Sequence, residues 1–206
     1  MEPEALFIIL GSLCLLVLFI VFSIAFPVIV VYLIFRSRKT YNEAWTRAAE
    51  QTGLTLIRGG IGYPRLSGSY RERPASVTGR SGGRNSPPYT VYEVEVPASR
   101  IARLILSRRN LFTGIESVLG AQDIEIGDTP FDEAFTVRST EPEKALAFLS
   151  DASDLRYRLL DEIPSALRVE GGKVRVSERD IQLDPDLIQR RLDLLVEVAS
   201  RLEAFK

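Results

Sequence analysis

From Ala5 to Phe35 the chain runs for 31 residues without a charged side chain. A bilayer core is crossed by about 20 apolar residues in a helix. The stretch therefore predicts one transmembrane helix over residues 5–35, with surplus length taken up by tilt, bending or extension into the headgroup region. Pro27 removes a backbone donor and crowds the preceding turn, which predicts a kink near Ser23 to Pro27. A cleaved signal peptide fits poorly, because its apolar core spans only about 7–15 residues behind a positive start. This sequence opens Met-Glu-Pro-Glu. Arg36, Arg38 and Lys39 flank the stretch on its C-terminal side and nothing basic precedes it. The positive-inside rule then predicts a short extracytoplasmic tail (1–4), a basic juxtamembrane segment (36–40) and a cytoplasmic domain (41–206), with Tyr32 at the inner interface. Gly11, Ser12, Ser23 and Ala25 are small enough to admit a neighbouring helix, but no Gly-x-x-x-Gly pair is present. With no ionisable residue in the stretch, an ion or proton path is not expected.

The remainder has the length of one ordinary domain. Its charge is uneven. Residues 36–110 carry 14 Lys and Arg against 5 Asp and Glu, whereas residues 111–206 carry 12 against 20. Such polarity marks a possible interaction surface, or two halves that neutralise each other within one fold. Cys14 is the only cysteine, so no intrachain disulfide can form, which agrees with a reducing compartment. Histidine is absent, which removes the commonest general base and metal ligand.

Local patterns predict an α+β domain, a mainly antiparallel sheet with helices packed on it. Thr40 with Glu43 reads as a capping box opening a helix from Tyr41 to Thr52, with Trp45, Ala48 and Ala49 inward and Gly53 as the stop. Strands are expected at Leu54–Arg58, Leu66–Tyr70, Ala75–Thr78, Tyr89–Val96, Ile101–Leu106, Gln122–Gly127 and Ala134–Arg138. Residues 79–88, rich in Gly, Ser and Pro, read as a loop, and Asp128-Thr129-Pro130 as a turn. A second capping box, Thr140 with Glu143, opens a helix over Glu141–Ser150 with Ala145, Leu146, Phe148 and Leu149 inward. A further helix, Ser153–Ile163, presents Leu155, Leu159 and Leu160. Leu167–Val169 and Val174–Val176 flank Gly171-Gly172 as a hairpin. In the last helix Asp184 caps, Pro185 opens the first turn, and Ile188, Leu192, Leu195, Ala199 and Leu202 share one face. That face packs on the sheet, or Ile188, Leu192, Leu195 and Leu202 form a partner-binding seam.

Few residues point to chemistry. The acidic run Asp123, Glu125, Asp128, Asp132 and Glu133 could bind a divalent cation or pair as acid and base. The alternation with Ile124 and Ile126 instead makes it a solvent-facing strand, and EF-hand spacing is missing. Gly59, Gly60 and Gly62 lead into Tyr63-Pro64 rather than a phosphate-binding helix, so they read as a turn. Arg71, Arg73, Arg80 and Arg84 gather around the loop and form a candidate lipid or partner surface. No nucleic-acid module is recognisable. No nucleophile has a base beside it, since there is no His, no cysteine outside the apolar stretch and no Ser-x-x-Lys. No cofactor, metal or catalytic residue is expected.

Phe131-Asp132-Glu133-Ala134-Phe135-Thr136-Val137-Arg138-Ser139, followed by the helices through Leu149 and Leu160 and the hairpin at Gly171, resembles the ending of a group of membrane-anchored proteins of unknown function. These carry N-terminal hydrophobic helices and a small α+β domain, in which a Phe-x-x-x-Phe-x-Val strand leads into a helix. The resemblance covers about residues 120–180 and implies a fold but no activity. This chain has one hydrophobic helix where the group often has two. The expected function is a non-enzymatic interaction or scaffold domain held at a membrane, with membrane lipids and a protein as partners. The alternatives are an anionic-lipid-engaging module and, further off, a carboxylate-dependent hydrolase.

Overall fold

The structure, a computed structural model, describes residues 3–57, 62–83, 86–109 and 123–205. Two compact units emerge, Met1–Asn42 and Glu43–Lys206. The first is helical. Helix α1, Pro3–Thr52, begins in it and runs through Pro27 without ending. Thr40 does not start a new helix, which corrects the first capping box. Its hydroxyl donates to the Arg36 carbonyl one turn back at 3.3 Å, a bond available only inside a continuing helix. Residues 19–30 are exposed in an unbroken run of 12. Among the described residues no helix is long and apolar enough to cross a membrane. The single-pass anchor over residues 5–35 is corrected accordingly, and with it the outside N-terminus and the cytoplasmic placement of residues 41–206.

The second unit is α+β. Its strands are β1 (Thr55–Ile57), β2 (Arg65–Tyr70), β3 (Arg73–Arg80), β4 (Tyr89–Glu95), β5 (Arg103–Arg108), β6 (Phe135–Ser139), β7 (Ala166–Glu170) and β8 (Lys173–Arg179). They form one eight-stranded sheet in the order β1-β2-β3-β4-β8-β7-β5-β6, every pair antiparallel. The β7–β8 hairpin turns through Gly171 and Gly172, both at positive φ (60° and 70°), the conformation that a two-residue turn of this hand demands. Side chains alternate across a sheet, and the register gathers most of the buried apolar ones on one face. Leu66, Val77, Tyr92, Val176, Leu167, Leu106 and Val137 lie in one cross-strand row, all at most 2% exposed. The same face carries Ala75, Val94, Val174, Val169 and Leu104, also buried.

Helix α5, Pro185–Ala204, covers this inner face against β3, β4 and β8. Asp184 caps it by accepting from the Asp186 amide at 3.0 Å. Ile188, Leu192, Leu195, Ala199 and Leu202 are all fully buried within the chain, so this face belongs to the core and offers no seam to a partner. The end of α1 joins the same layer. Trp45 is fully buried and its indole N–H donates to the Gln182 carbonyl at 2.9 Å. Ala48 is buried and Ala49 half-buried. Gly79 lies on the inner face because a Cβ there would stand 2.6 Å from the Tyr63 Cβ.

The other helices are α2 (Thr129–Ala134), α3 (Pro142–Asp151) and α4 (Ser153–Glu162). Several local expectations are corrected here. The turn at Asp128-Thr129-Pro130 opens α2, since Pro130 suits a first helical turn. Residues 123–127 are not a strand, because Asp123 intervenes where a ladder would form. Its carboxylate accepts from the Val137 amide at 2.9 Å, while the Ile124 amide donates to the Val137 carbonyl at 2.9 Å. Gln122 lies outside the described residues. At α3 the N-cap is Glu141, and the Thr140 hydroxyl donates to the Glu141 carboxylate at 2.6 Å instead of capping. Leu146 is 38% exposed, unlike Ala145, Phe148 and Leu149, and Leu160 is only half-buried.

Leu195→Ala removes a fully buried side chain between α5 and the sheet. It is expected to lower stability by about 2–5 kcal/mol in urea unfolding while leaving far-ultraviolet dichroism native. The Tyr92 hydroxyl, which donates to Glu178 at 3.1 Å, is held well above its usual pKa of 10.0, chiefly by burial and then by the Glu178 charge. A raised folded-state pKa means that this stabilisation is complete below pH 10 and declines as pH rises, because the unfolded chain ionises first. Tyr92→Phe is expected to flatten the alkaline limb of a stability–pH profile.

Candidate interaction surface

The two oppositely charged halves of the sequence meet in the fold. Arg71 pairs with Asp193 at 2.7 Å, Arg73 with Glu203 at 2.6 Å, Arg103 with Glu170 at 3.4 Å and Arg109 with Asp123 at 3.0 Å. Two of the predicted basic residues are therefore committed internally. Arg73 holds Glu203 with both terminal nitrogens and also reaches Ser200 at 3.3 Å, which depresses the Glu203 pKa through the guanidinium hydrogen bond. Beside it the Tyr70 hydroxyl donates to Asp193 at 2.6 Å, and burial followed by that carboxylate raises the Tyr70 pKa. The β2–β3 turn is thus clamped onto α5. Its central residues, Arg71 and Glu72, both sit at positive φ (48° and 66°), a conformation that disfavours side chains. The clamp holds this turn in place. Arg80 is exposed, and Arg84 lies outside the described residues. Arg36, Arg38 and Lys39 lie within α1, with Arg36 and Lys39 exposed.

The acidic run serves the loop it belongs to. Asp132 accepts from the Ile126 and Gly127 amides, each at 2.9 Å. Asp128 takes Arg156 at 2.8 Å, and Asp123 takes Arg109 and the Val137 amide. Glu133 is exposed on α2. Among the described residues no group of three or more Asp, Glu or Cys is placed to hold a metal ion. Gly59 and Gly60 lie outside the described residues, and Gly62 is exposed in a bend before β2.

A second polar cluster lies under α5. Arg191 is only 8% exposed and faces Glu178 at 3.4 Å and Glu162 at 3.9 Å. Glu162 also receives Arg158 at 2.8 Å, and Arg158 continues to Glu197. From there Arg201 links Glu197 to Asp154, whose pKa the Arg201 hydrogen bond depresses. This chain of ion pairs ties α4 to α5 and β8. Its members are joined by ion pairs, with Arg191 Nε and Glu162 Oε2 buried without a hydrogen bond, and the chain reads as structural cement.

Two surfaces remain. The first is the apolar run of α1, where Phe19, Phe22 and Phe26 are 73%, 66% and 56% exposed and Phe22 stacks on Phe26 with ring centroids 5.6 Å apart. The second was not singled out from the sequence. It is the outer face of the sheet, opposite α5. The register places Arg65, Arg80, Arg103, Arg138, Arg168, Lys173, Arg175 and Arg179 there, against only Glu93, Glu95 and Glu170. Between them lie small polar residues, among them Ser67, Ser76, Thr78 and Ser177, and the buried apolar Val91 and Ile105. The signal available in the sequence was Lys173-Val174-Arg175-Val176-Ser177, a strict alternation of polar and apolar residues.

Asp132→Ala leaves the Ile126 and Gly127 amides without their acceptor. A loss of about 1–3 kcal/mol is expected in chemical denaturation, with faster hydrogen exchange at the Ile126 and Gly127 amides.

No family model matches the sequence, and no curated protein matches it. Among solved structures the chain is similar to the mycobacterial trehalose monomycolate transport factor A, TtfA. The TM-score is 0.51 at 12% identity, over 81% of this chain and 93% of that one. At this identity the likeness is one of fold.

Proposed function

We propose that the chain is a membrane-associated, non-enzymatic interaction domain. The observation that carries this reading is the exposed apolar run at residues 19–30. A contiguous apolar surface of this size is rarely left to water, and where it occurs it marks a protein or membrane contact. The second unit supports the same reading in another way. Most of its apolar residues are absorbed by the inner face and its helices, and Asp123, Asp128 and Asp132 of the candidate acidic site are engaged in loop hydrogen bonds and ion pairs. What it presents outward is charge rather than a reaction centre. The fold shared with TtfA, named as a transport factor, is compatible with a domain that works through contacts.

The test is photo-crosslinking of the full-length protein in its native membranes from a benzoylphenylalanine at Phe22. Reproducible adducts with lipid or with one membrane protein are expected, and none from the same probe placed at buried Phe148. Recovery of the protein as a monomer in detergent-free buffer, with no adduct from Phe22, would sink the reading.

A further inference from the structure

We propose that the outer face of the sheet docks on an anionic lipid surface. The inference deepens the membrane-associated reading and rests on it, adding a named face and a lipid charge.

Three observations lead there. First, the face carries eight basic side chains against three acidic ones by the strand register, while the chain as a whole has a net charge of −1. The cations are therefore concentrated by the fold. Second, some of that concentration works against folding. Arg168 and Arg175 are direct cross-strand partners on β7 and β8, and both are exposed. Like charges placed opposite each other on adjacent strands destabilise a sheet. Glu93 offsets one of them, pairing with Arg175 at 2.5 Å. The basic side chains on the face still outnumber the acidic ones, so an anionic surface above it meets a net positive charge. Third, the exposed cations are spread rather than convergent. Arg65 on β2, Arg80 on β3, Arg175 and Arg179 on β8 and Arg168 on β7 span five neighbouring strands. At about 4.8 Å per strand this is close to 20 Å of sheet. Such a spread matches an extended array of phosphates better than it matches one bound anion. Arg103 is held by Glu170 and Arg175 by Glu93, so the face acts through its net excess of basic over acidic side chains, and an attraction of that kind is salt-sensitive. The mobile lipid array also tolerates the three interspersed glutamates by rearranging around them, whereas a fixed acidic protein surface would need a matching pattern.

The chain supplies its own reporter. Trp45 is the only tryptophan, buried in the second unit and fixed by its bond to Gln182. Full-length protein is mixed with vesicles of phosphatidylcholine alone, or of equal parts phosphatidylcholine and phosphatidylglycerol. Both contain dansyl-phosphatidylethanolamine, and energy transfer from Trp45 is read on the vesicle fraction after flotation. Transfer is expected to be about twofold higher on the anionic vesicles and to fall to the neutral value at high salt. Arg168→Glu with Arg175→Glu is expected to abolish the difference, and Arg168→Gln with Arg175→Gln to reduce it, each variant keeping native circular dichroism. Arg190→Glu, on an exposed position of α5, makes the same charge change as the glutamine pair but away from the face, and is expected to leave the difference intact.

Equal transfer on the two vesicles, with the protein floating on both, would overturn the proposal and leave the membrane-associated reading standing. So would an unchanged difference in the two arginine pair variants, or an equal loss in Arg190→Glu, which would reduce the effect to net charge. Displacement of Trp45 transfer by soluble polyglutamate at matched ionic strength, with no dependence on phosphatidylglycerol, would assign the face to an acidic protein. Failure to float with either vesicle would overturn this proposal and the reading beneath it together.

Discussion

Everything in the second unit is arranged around the contact between α5 and the inner face of the sheet. The row from Leu66 to Val137 crosses seven strands with no side chain more than 2% exposed, and α5 seals it with Ile188, Leu192, Leu195, Ala199 and Leu202. Burial of apolar surface on this scale is the dominant favourable term in folding. It also decides where polar groups are allowed. Those that remain at the buried layer, the Tyr92 hydroxyl and the Arg191 guanidinium, are directed to Glu178 and Glu162. The clamp of Tyr70, Arg71 and Arg73 on Asp193 and Glu203 fastens the far end of the same helix.

Committing one sheet face to the helix leaves the other to carry charge. Because the period of a strand is two, every apolar residue turned toward α5 turns a neighbour outward. On β8, Val174 and Val176 face in and Lys173, Arg175 and Ser177 face out. The cationic face is therefore a consequence of the core pattern joined to the choice of arginine at the alternate positions. Apart from Glu170, which pairs with Arg103, the acidic half of the sequence does not cancel it. Its carboxylates are drawn to α5, the 123–133 loop and the ion pairs between α4 and α5.

Elements with a strong period were legible in the sequence. The β7–β8 hairpin, β4 and α5 have alternation or a helical stripe that survives any tertiary context, and Gly171-Gly172 and Asp184-Pro185 mark their ends. The misses share a cause, competition for one hydrogen bond that local sequence does not settle. Thr40 could cap a new helix or bond back within an old one, and the continuity of α1 selected the second. Asp123 could face solvent from a strand or replace the strand's own backbone, and the Val137 amide selected the second. The outer face was hidden because its arginines are scattered from Arg65 to Arg179 and only register brings them together. Arg71 and Arg73 were visible as charges, while their partners on α5 lay more than a hundred residues away. The apolar stretch was legible as composition, yet the residues described within α1 do not make a membrane crossing.

The Asp123–Val137 bond has a consequence beyond its own loop. An open sheet ends in a row of donors and acceptors that invites another chain, and this sheet has two such ends, β1 and β6. At β6 the invitation is withdrawn at Val137, where a carboxylate occupies the amide and the Ile124 amide occupies the carbonyl. A carboxylate cannot propagate a ladder, because it offers no amide to the next strand. Growth of the sheet by strand addition is thereby opposed at Val137. At β6 the sheet is thus ended by a side chain rather than by another strand, an arrangement that disfavours edge-to-edge pairing there.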